Sequence, residues 1–321
     1  MRISEVVKHI LIVLLVSFVI SMLIVFAKVK YSAKLMKKAN FGVTKAASIG
    51  PIDNLFIGSS MFRQGIDIKA LTPEGNISFL LAYNGNQPVL ELEEIRRFYE
   101  LGGKARVLVV DMYVYSLAAK PKLSDTRILL DDADGDYLKR IYECLKYGDA
   151  DWTTYYQMAF QANNEFLLTA PLFFKMINGR YYNGNNLVKT RGASAERLAR
   201  AALLPAPTEP RPYQAKALAE LVKLCNEHGT TVLFIETPKY CKVIEEDAEY
   251  IRGMEKYVML LNGLACQMII HEKTLNKMQI GEMSSLRTYV FDNEDASQYM
   301  DLIHLSFDGR QRFSSMLKDF F

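Results

Sequence analysis

The chain lacks the motifs that identify several large classes of enzyme. It has no glycine-rich dinucleotide fingerprint, no Walker phosphate loop and no His-Glu-x-x-His zinc motif. Its four cysteines show no Cys-x-x-Cys or other metal spacing, so they predict neither a metal site nor a redox compartment. We therefore expect no metal and no cofactor. The 321 residues are 50% hydrophobic and 23% charged, too apolar for a disordered chain, and they predict one or two packed domains.

The net charge of +3 conceals an uneven distribution along the chain. Residues 1–45 hold eight Lys or Arg and a single Glu, whereas residues 46–321 hold 31 basic and 35 acidic side chains, a net charge of −4. Nucleic-acid binding needs a basic surface that neutralises phosphates. The charge balance of the main body therefore argues against a nucleic-acid partner.

One long hydrophobic run lies near the N-terminus. Ile10–Ala27 contains 18 residues without a charge, and a helix of that length spans about 27 Å, close to the hydrocarbon thickness of a bilayer. The run exceeds the apolar region of a signal peptide, and no small-x-small cleavage site follows it. We predict an uncleaved single-pass membrane anchor, residues 1–27, followed by a basic linker, residues 28–50. The lysines of this linker would, by the positive-inside rule, place the body in the cytoplasm.

Short apolar runs alternate with helical patterns in residues 51–321. The predicted strands are Asn54–Ile57, Ile77–Ala82, Ala105–Val110, Thr231–Ile235, Met268–Ile270 and Thr288–Phe291. The predicted helices are Pro88–Leu101, Tyr213–His228, residues 244–263 and Phe307–Phe320. This alternation predicts an α/β fold, a three-layer sandwich with a mostly parallel central sheet that binds ligands at the carboxyl ends of its strands. Residues 118–211 interrupt the pattern and are expected to be a helical insertion or cap.

Four histidines limit the search for a general base. His9 abuts the hydrophobic run, His228 closes a predicted helix and His271 follows an apolar run without a distinctive neighbourhood. His304 remains, in the loop before the last predicted helix. Asp301, three residues earlier, can accept the Nδ1 proton of the imidazole and leave Nε2 free as a base.

The candidate nucleophile is Ser60, in the turn Gly58, Ser59, Ser60 that follows the first predicted strand. This position places a hydroxyl where the sheet opens to solvent, and backbone amides in such a turn stabilise an oxyanion by about 3 to 4 kcal/mol per donor. Taken alone, the pattern is also typical of an ordinary loop.

Together the two blocks resemble the SGNH (GDSL-type) hydrolase superfamily, which has an early Gly-Asp-Ser block and a late Asp-x-x-His block. The resemblance covers the sheet-forming parts of residues 51–117 and 212–321, and it implies an SGNH, flavodoxin-like catalytic domain over residues 51–321. The roles that it implies are nucleophile, Ser60; base, His304; orienting acid, Asp301; and oxyanion donors, Met61, Gly85 and Asn86.

The sequence departs from the family pattern in two blocks, and the second departure concerns the oxyanion hole. Ser59 stands where the family has Asp, and Asp111, Met112 and Tyr113 stand where it has Gly-x-Asn-Asp. The family's asparagine donor is therefore missing, unless Asn84, Asn86 or Tyr113 replaces it. Loss of one donor lowers the rate by about 10²- to 10³-fold.

A similar loss is typical of membrane-anchored relatives, including the D-alanyl transfer protein of teichoic acid modification and the alginate acetylation proteins. The resemblance thus implies a membrane-tethered acyltransferase or esterase that acts on a cell-envelope glycan or teichoic acid. It also implies a membrane-bound O-acyltransferase as partner and an extracytoplasmic body, against the charge pattern. The alternative is a non-catalytic adaptor that binds polysaccharide or the acyltransferase.

The predicted insertion is rich in aromatic and amide side chains. These residues favour either contact with sugars or a partner, or packing of a cap on the body. The segment 166–177 is apolar nearly all round and is expected to contact a membrane surface or membrane partner if exposed. The acidic run 131–136 lacks the pattern of a calcium loop and is predicted to be a solvated turn. The aromatic residues are Trp152, Tyr155, Tyr156, Phe160, Phe166, Phe173, Phe174, Tyr181 and Tyr182.

Overall fold

The centre of the protein is a six-stranded sheet whose neighbouring strands are all parallel. The structure is a computed structural model and describes residues 3–131, 135–168, 175–176, 179–203 and 208–321. The predicted α/β class with a mostly parallel sheet is confirmed. The strands of this sheet are β1 (Ile52–Gly58), β2 (Ser78–Ala82), β3 (Ala105–Asp111), β6 (Thr231–Ile235), β7 (Gln267–His271) and β8 (Leu286–Tyr289). A separate antiparallel pair consists of β4 (Tyr181–Tyr182) and β5 (Asn185–Asn186).

The order of the strands is β2-β1-β3-β6-β7-β8. The chain therefore builds outward from β1 in one direction and from β3 in the other, and the carboxyl ends of these two strands border a topological switch point. Helices cover both faces of the sheet. They are α1 (Ile3–Lys38), α2 (Val43–Ser48), α3 (Ser60–Gly65), α4 (Ile68–Leu71), α5 (Pro88–Glu100), α6 (Val114–Ala118), α7 (Asp136–Leu145), α8 (Trp152–Leu168), α9 (Ala195–Arg200), α10 (Pro212–Glu227), α11 (Cys241–Glu246), α12 (Ala248–Gly263), α13 (Glu272–Lys277) and α14 (Phe307–Leu317).

The hydrophobic run lies within α1, which is long and apolar enough to cross a membrane. The side chains of its apolar window are not buried by the rest of the protein. Beyond the run, Lys28, Ser32 and Met36 are buried at a spacing of four residues, which places them on one face of the helix. The first part of α1 is thus free of the body, and its last part packs against it.

Part of the stretch predicted as a linker, residues 28–50, belongs to the folded body. Val43 at the start of α2 is fully buried in the main core. The carboxylate of Asp131 accepts hydrogen bonds from the amides of Val43 (2.9 Å) and Thr44 (2.8 Å). These two amides have no acceptor within the first turn of the helix, so the distant carboxylate acts as a cap.

The acidic run 131–136 was predicted to be a solvated turn, and for Asp131 this prediction is wrong. Its side chain is buried, because the N–H groups of α2 that it caps lie in the core. The other acidic residues of the first part of this run, Asp132 and Asp134, lie outside the described residues.

The predicted helix over residues 244–263 is two helices, α11 and α12, that meet at Asp247. The Asp247 carboxylate accepts from the amide of Tyr250 at 3.0 Å and from the hydroxyl of Tyr115 at 2.9 Å. The second bond joins residues 132 positions apart. A contact of this range fixes the break, so the continuous apolar spacing of the segment does not reveal it.

The predicted insertion, residues 118–211, is mostly helical in its described parts. It contributes α7, α8, α9 and a 3₁₀ turn, η1 (Thr126–Asp131). α7 packs against α5 on the body, and α8 packs against η1 and α1. Of the predicted apolar segment 166–177, residues 169–174 and 177 lie outside the described residues, as do Phe173, Phe174 and Asn178.

The buried carboxyl of Glu91 in α5 makes the free energy of unfolding depend on pH. Burial raises the pKa of Glu91 in α5 to about 8 from its ordinary 4.5, and the charge of Asp111 adds to this shift. The folded-state pKa is the higher one, so the contribution of Glu91 to stability is full below pH 4.5 and is lost as the pH rises through 8. We expect Glu91→Gln to raise the free energy of unfolding at pH 9 and to change it little at pH 4.5.

Urea denaturation at several pH values measures this difference. The matched control is Glu227→Gln, whose wild-type side chain is 57% exposed and which should give a constant offset. A pH-independent difference between Glu91→Gln and the wild type would contradict the prediction.

Candidate active site

Ser60 lies at the start of α3, directly after β1 ends at Gly58. Ser59 is the N-cap residue of this helix, and its hydroxyl accepts a hydrogen bond from the amide of Met61 at 3.2 Å. The cap fixes the turn between strand and helix. It places the Ser60 side chain at the carboxyl edge of the sheet, beside the switch point between β1 and β3.

The imidazole of His304 meets Ser60 at this edge. Ser60 Oγ and His304 Nε2 are 2.8 Å apart, although 244 positions separate the two residues in the chain. His304 Nδ1 lies 2.9 Å from Asp301 Oδ2. An ionised Asp301 can only accept, so Nδ1 carries the proton and Nε2 accepts from the Ser60 hydroxyl. The structure thus brings together the three residues predicted as nucleophile, base and orienting acid; their catalytic role stays a prediction.

The turn from Asp301 to His304 is held by its own hydrogen bonds. Asp301 Oδ1 accepts from the amides of Ile303 and His304, both at 2.9 Å. Burial by itself would raise the pKa of Asp301, but the bonds from the His304 ring and the two amides outweigh it and leave the pKa below its usual value. Asp301 is therefore an anion at neutral pH and orients the ring.

A second carboxylate approaches the nucleophile turn from the neighbouring strand. Asp111, the last residue of β3, accepts from the Ser59 hydroxyl at 2.7 Å and is buried. Burial raises its pKa to about 6, opposed by the charge of Lys239 and by the bonds from Ser59. A Cβ on Gly58 would fall 2.5 Å from the Cβ of Asp111, so only glycine permits this approach. The sequence showed Asp111 at a strand end but not its bond to Ser59.

Lys239 is a buried cation whose charge acts on Asp111, and the sequence did not reveal its burial. Its Nζ donates to the carbonyl oxygen of Thr237 at 2.6 Å and to the Thr237 hydroxyl at 3.0 Å. Burial lowers the pKa of Lys239, and the charges of Glu236 and Asp111 partly oppose this. One feature of the sequence indicates that Lys239 is near the site: it lies four residues after β6, and a polar side chain there reaches the carboxyl edge of the sheet, where Ser60 also lies.

The three predicted oxyanion donors differ in their surroundings. The Met61 amide donates to Ser59, so it would have to exchange that bond to serve an oxyanion. The Asn86 side chain donates to the buried Glu94 at 2.7 Å, and its amide donates to the carbonyl of Tyr83 at 3.2 Å, so both groups support the fold. The role of Asn86 in the oxyanion hole stays a prediction; its side chain would have to use its second N–H or exchange its bond to Glu94. The roles of Met61 and Gly85 stay predictions.

Gly85 lies in the loop after β2 with a φ of +64°, a conformation that other residues adopt at a cost. A Cβ there would also fall 2.7 Å from the Ser124 hydroxyl. Of the possible substitute donors, Asn84 donates its backbone N–H to the Asp125 carboxylate at 3.3 Å. Tyr113, which follows β3, has its pKa raised by burial and by the charges of Asp111 and Asp301, so its hydroxyl remains protonated and able to donate.

An arginine cluster fastens the insertion to the nucleophile helix. Arg63, one turn after Ser60 in α3, forms an ion pair with Asp125 at 3.6 Å. Asp125 also pairs with Arg127 of η1, whose guanidinium donates to the Tyr181 hydroxyl. Burial lowers the pKa of Arg63, and the nearby Arg127 adds to this. The insertion therefore restrains the helix that begins with the nucleophile.

The remaining histidines lie elsewhere. His228 follows α10 as its C-cap residue and stacks on Tyr99 at a centroid distance of 3.9 Å. His271 ends β7, with its Nε2 3.0 Å from the carbonyl oxygen of Phe291. His9 lies in α1 beside the hydrophobic run. Within the described residues, no group of three or more His, Cys, Asp or Glu is arranged to hold a metal ion.

The chain has little similarity to known proteins. The sequence matches no family model and no curated protein. It is similar to a solved structure from Streptococcus pneumonia, provisionally named as a platelet activating factor, with a TM-score of 0.36 and 12% sequence identity over 97% of this chain and 98% of that chain.

Proposed function

We propose that the protein is a membrane-tethered serine-type acyltransferase or esterase that acts on a cell-envelope polymer. The observation that carries the proposal is the continuous hydrogen-bonded chain from Ser60 through His304 to Asp301. A hydroxyl, a base and an orienting carboxylate in this order are the arrangement that activates serine for acyl transfer.

The geometry supports a two-step reaction. Ser60 Oγ attacks the acyl carbonyl while His304 Nε2 takes the hydroxyl proton, and the anionic Asp301 stabilises the resulting imidazolium. Collapse of the tetrahedral intermediate breaks the bond to the leaving group, which receives the proton from His304. In the second step, His304 removes a proton from the acceptor hydroxyl, whose oxygen attacks the acyl carbon. The bond from the acyl carbon to Ser60 Oγ then breaks, and the His304 imidazolium returns the proton to Ser60. Water as acceptor makes the same cycle an esterase.

The charge of Asp111 supports the first step. Above its pKa of about 6, Asp111 is an anion whose field reaches His304. A nearby negative charge stabilises the imidazolium that forms during the attack. Ser59, which donates to Asp111, links this charge to the nucleophile turn.

The long helix α1 supports the location in the proposal. A tether that crosses the bilayer would hold the site near the membrane surface. There it would receive acyl groups from a membrane-bound O-acyltransferase and reach polymers such as a glycan or teichoic acid. The resemblance of the sequence favours an acyl group such as D-alanyl or acetyl and an extracytoplasmic body. Protection of the body from protease in intact cells would contradict this orientation.

An acyl-enzyme test separates catalysis from the adaptor alternative. Full-length protein in detergent micelles is mixed with 4-nitrophenyl acetate, quenched in acid and examined by intact-mass and peptide mass spectrometry. We expect one acetyl group on Ser60 in the wild type and none in Ser60→Ala. The matched control is Ser285→Ala, which removes a hydroxyl bonded to Asn262 just before β8, at the opposite edge of the sheet, and should still be acetylated at Ser60.

The test has two further outcomes. Equal labelling of Ser60→Ala and the wild type, or no label in either, would favour the non-catalytic adaptor. If the label forms, adding a short polysaccharide distinguishes the two reactions: acetyl transfer to the glycan identifies a transferase, and release of acetate alone identifies an esterase.

A further inference from the structure

Helix α8 of the insertion presents an aromatic face to the outside of the protein. Trp152, Tyr156 and Phe160 follow one another at intervals of four residues, so they lie on one side of the helix. Their exposed fractions are 71%, 67% and 66%. We call these three residues the α8 stripe. Three large aromatic side chains in a row on one exposed face exceed the scattered apolar residues of an ordinary protein surface.

The rest of α8 shows that this face is directed away from the body. Met158, Ala162 and Phe166, again four residues apart, are buried and form the inner face. The only charged residue in the helix is Glu165, which accepts a hydrogen bond from the Thr126 hydroxyl. The neighbouring α7 has the composition of a helix that faces water, with Asp136, Lys139, Arg140 and Glu143 among its ten residues.

The position of α8 relates the stripe to the membrane. α8 is one of the elements that pack against α1. The apolar run of α1 ends at Ala27, and the first residue buried on the packed side is Lys28, directly after it. The body therefore meets α1 where the hydrocarbon region of a bilayer would end and the headgroups begin. Trp and Tyr are enriched at this level in membrane proteins.

We propose that the α8 stripe inserts into the headgroup region of the bilayer that α1 spans, and so fixes the body against the membrane surface. The lipid is expected to be anionic, because Lys30, Lys34 and Lys37 are exposed on α1 in the same zone. This inference rests on the membrane location in the proposed function but not on its chemistry. A helix without outward charges, next to a basic membrane anchor, matches an anionic lipid surface better than it matches water.

The single tryptophan of the chain makes the proposal directly testable, because Trp152 is the only residue of its type. The full-length protein is reconstituted in vesicles of three parts phosphatidylcholine and one part phosphatidylglycerol. A second preparation contains phosphatidylcholine brominated near the headgroup end of its chains. We expect the brominated lipid to reduce the Trp152 emission about twofold and the emission maximum to lie at shorter wavelength than for tryptophan in water.

A control moves the tryptophan to a remote helix. In Trp152→Phe with Met259→Trp, the new tryptophan replaces an exposed residue of α12 and should show no quenching by brominated lipid. Tyr156→Ser with Phe160→Ser should weaken the quenching of Trp152 while near-ultraviolet circular dichroism shows an intact fold. Free access of iodide to Trp152 in the vesicles, without bromine quenching, would overturn the proposal. Flotation of the same sample with the vesicles tests α1 separately, and the acyl-enzyme test is unaffected by either result.

Discussion

Replacement of His304 by alanine is expected to lower kcat/KM for a short activated ester by roughly 10³- to 10⁴-fold. Its Nε2 lies 2.8 Å from Ser60 Oγ and is the proton acceptor for that hydroxyl. A serine hydroxyl without a base is a weak nucleophile at neutral pH, and the oriented carboxylate of Asp301 then has no imidazolium to stabilise. Steady-state kinetics of the full-length protein in detergent micelles measure the loss.

The control is another histidine whose ring makes a clear contact. His228→Ala removes the stack of its ring on Tyr99. This contact lies near the amino end of β6, at the opposite edge of the sheet from Ser60. We expect a modest loss of stability, about 0.5 to 1.5 kcal/mol, and unchanged kcat/KM. Residues that act as one unit are not additive, so Ser60→Ala with His304→Ala should be no slower than either single variant. A reduced kcat/KM in His228→Ala, or a double variant whose loss of kcat/KM is the product of the two single losses, would contradict the proposed chain from Ser60 through His304 to Asp301.

Much of the fold and the central part of the site follow from local patterns. The apolar runs predicted every strand of the main sheet within two residues at either end. Central strands are buried on both faces and are therefore nearly continuously apolar, whereas half of the residues of the edge strand β8 are exposed. The Asp301 to His304 turn is also local, since the carboxylate bonds to amides two and three residues later. The meeting of Ser60 with His304 then follows from the parallel sheet, whose carboxyl ends share one edge.

The parts that the sequence did not predict depend on contacts between distant residues. The bond from Ser59 to Asp111 joins two strands across 52 positions. Asp131 caps α2 across nearly ninety positions, and no local pattern marks it as a cap. Lys239 resembles any surface lysine in the sequence, because burial of a cation depends on partners that only the folded chain provides. The bond from Asn86 to Glu94 was likewise not marked by any local pattern.

The residues of the candidate site share one location. Ser60 follows β1 and Asp111 ends β3, the two strands that border the switch point of the sheet. Lys239 reaches the same edge after β6, and His304 arrives from the loop before α14. The chemistry of the site is thus concentrated at the switch point, where the order in which the chain adds strands changes direction. Small shifts between β1 and β3 should therefore affect the site strongly.

Gly58→Ala is expected to produce such a shift and to lower kcat by about 10²-fold. The new methyl group would fall 2.5 Å from the Cβ of Asp111 and 3.3 Å from the ring of Phe62. The Asp111 Cβ belongs to a sheet strand and cannot rotate away, so β1 and β3 must separate at their carboxyl ends. The bond from Ser59 to Asp111 is then strained, and the Ser60 hydroxyl moves away from His304. Overpacking of this kind also lowers stability by about 1 to 3 kcal/mol.

The matched control is Gly263→Ala, where a Cβ meets nothing within 4 Å. Gly263 ends α12, so alanine there should leave stability unchanged or slightly raised and should not change kcat. Urea denaturation and ester hydrolysis by both variants test the prediction together. Wild-type kcat in Gly58→Ala at the expected loss of stability would show that the close approach of β1 and β3 serves the fold and not the alignment of Ser60. Reduced kcat with an unchanged KM would instead tie the glycine to the position of the nucleophile, because substrate binding would be intact while attack is misaligned.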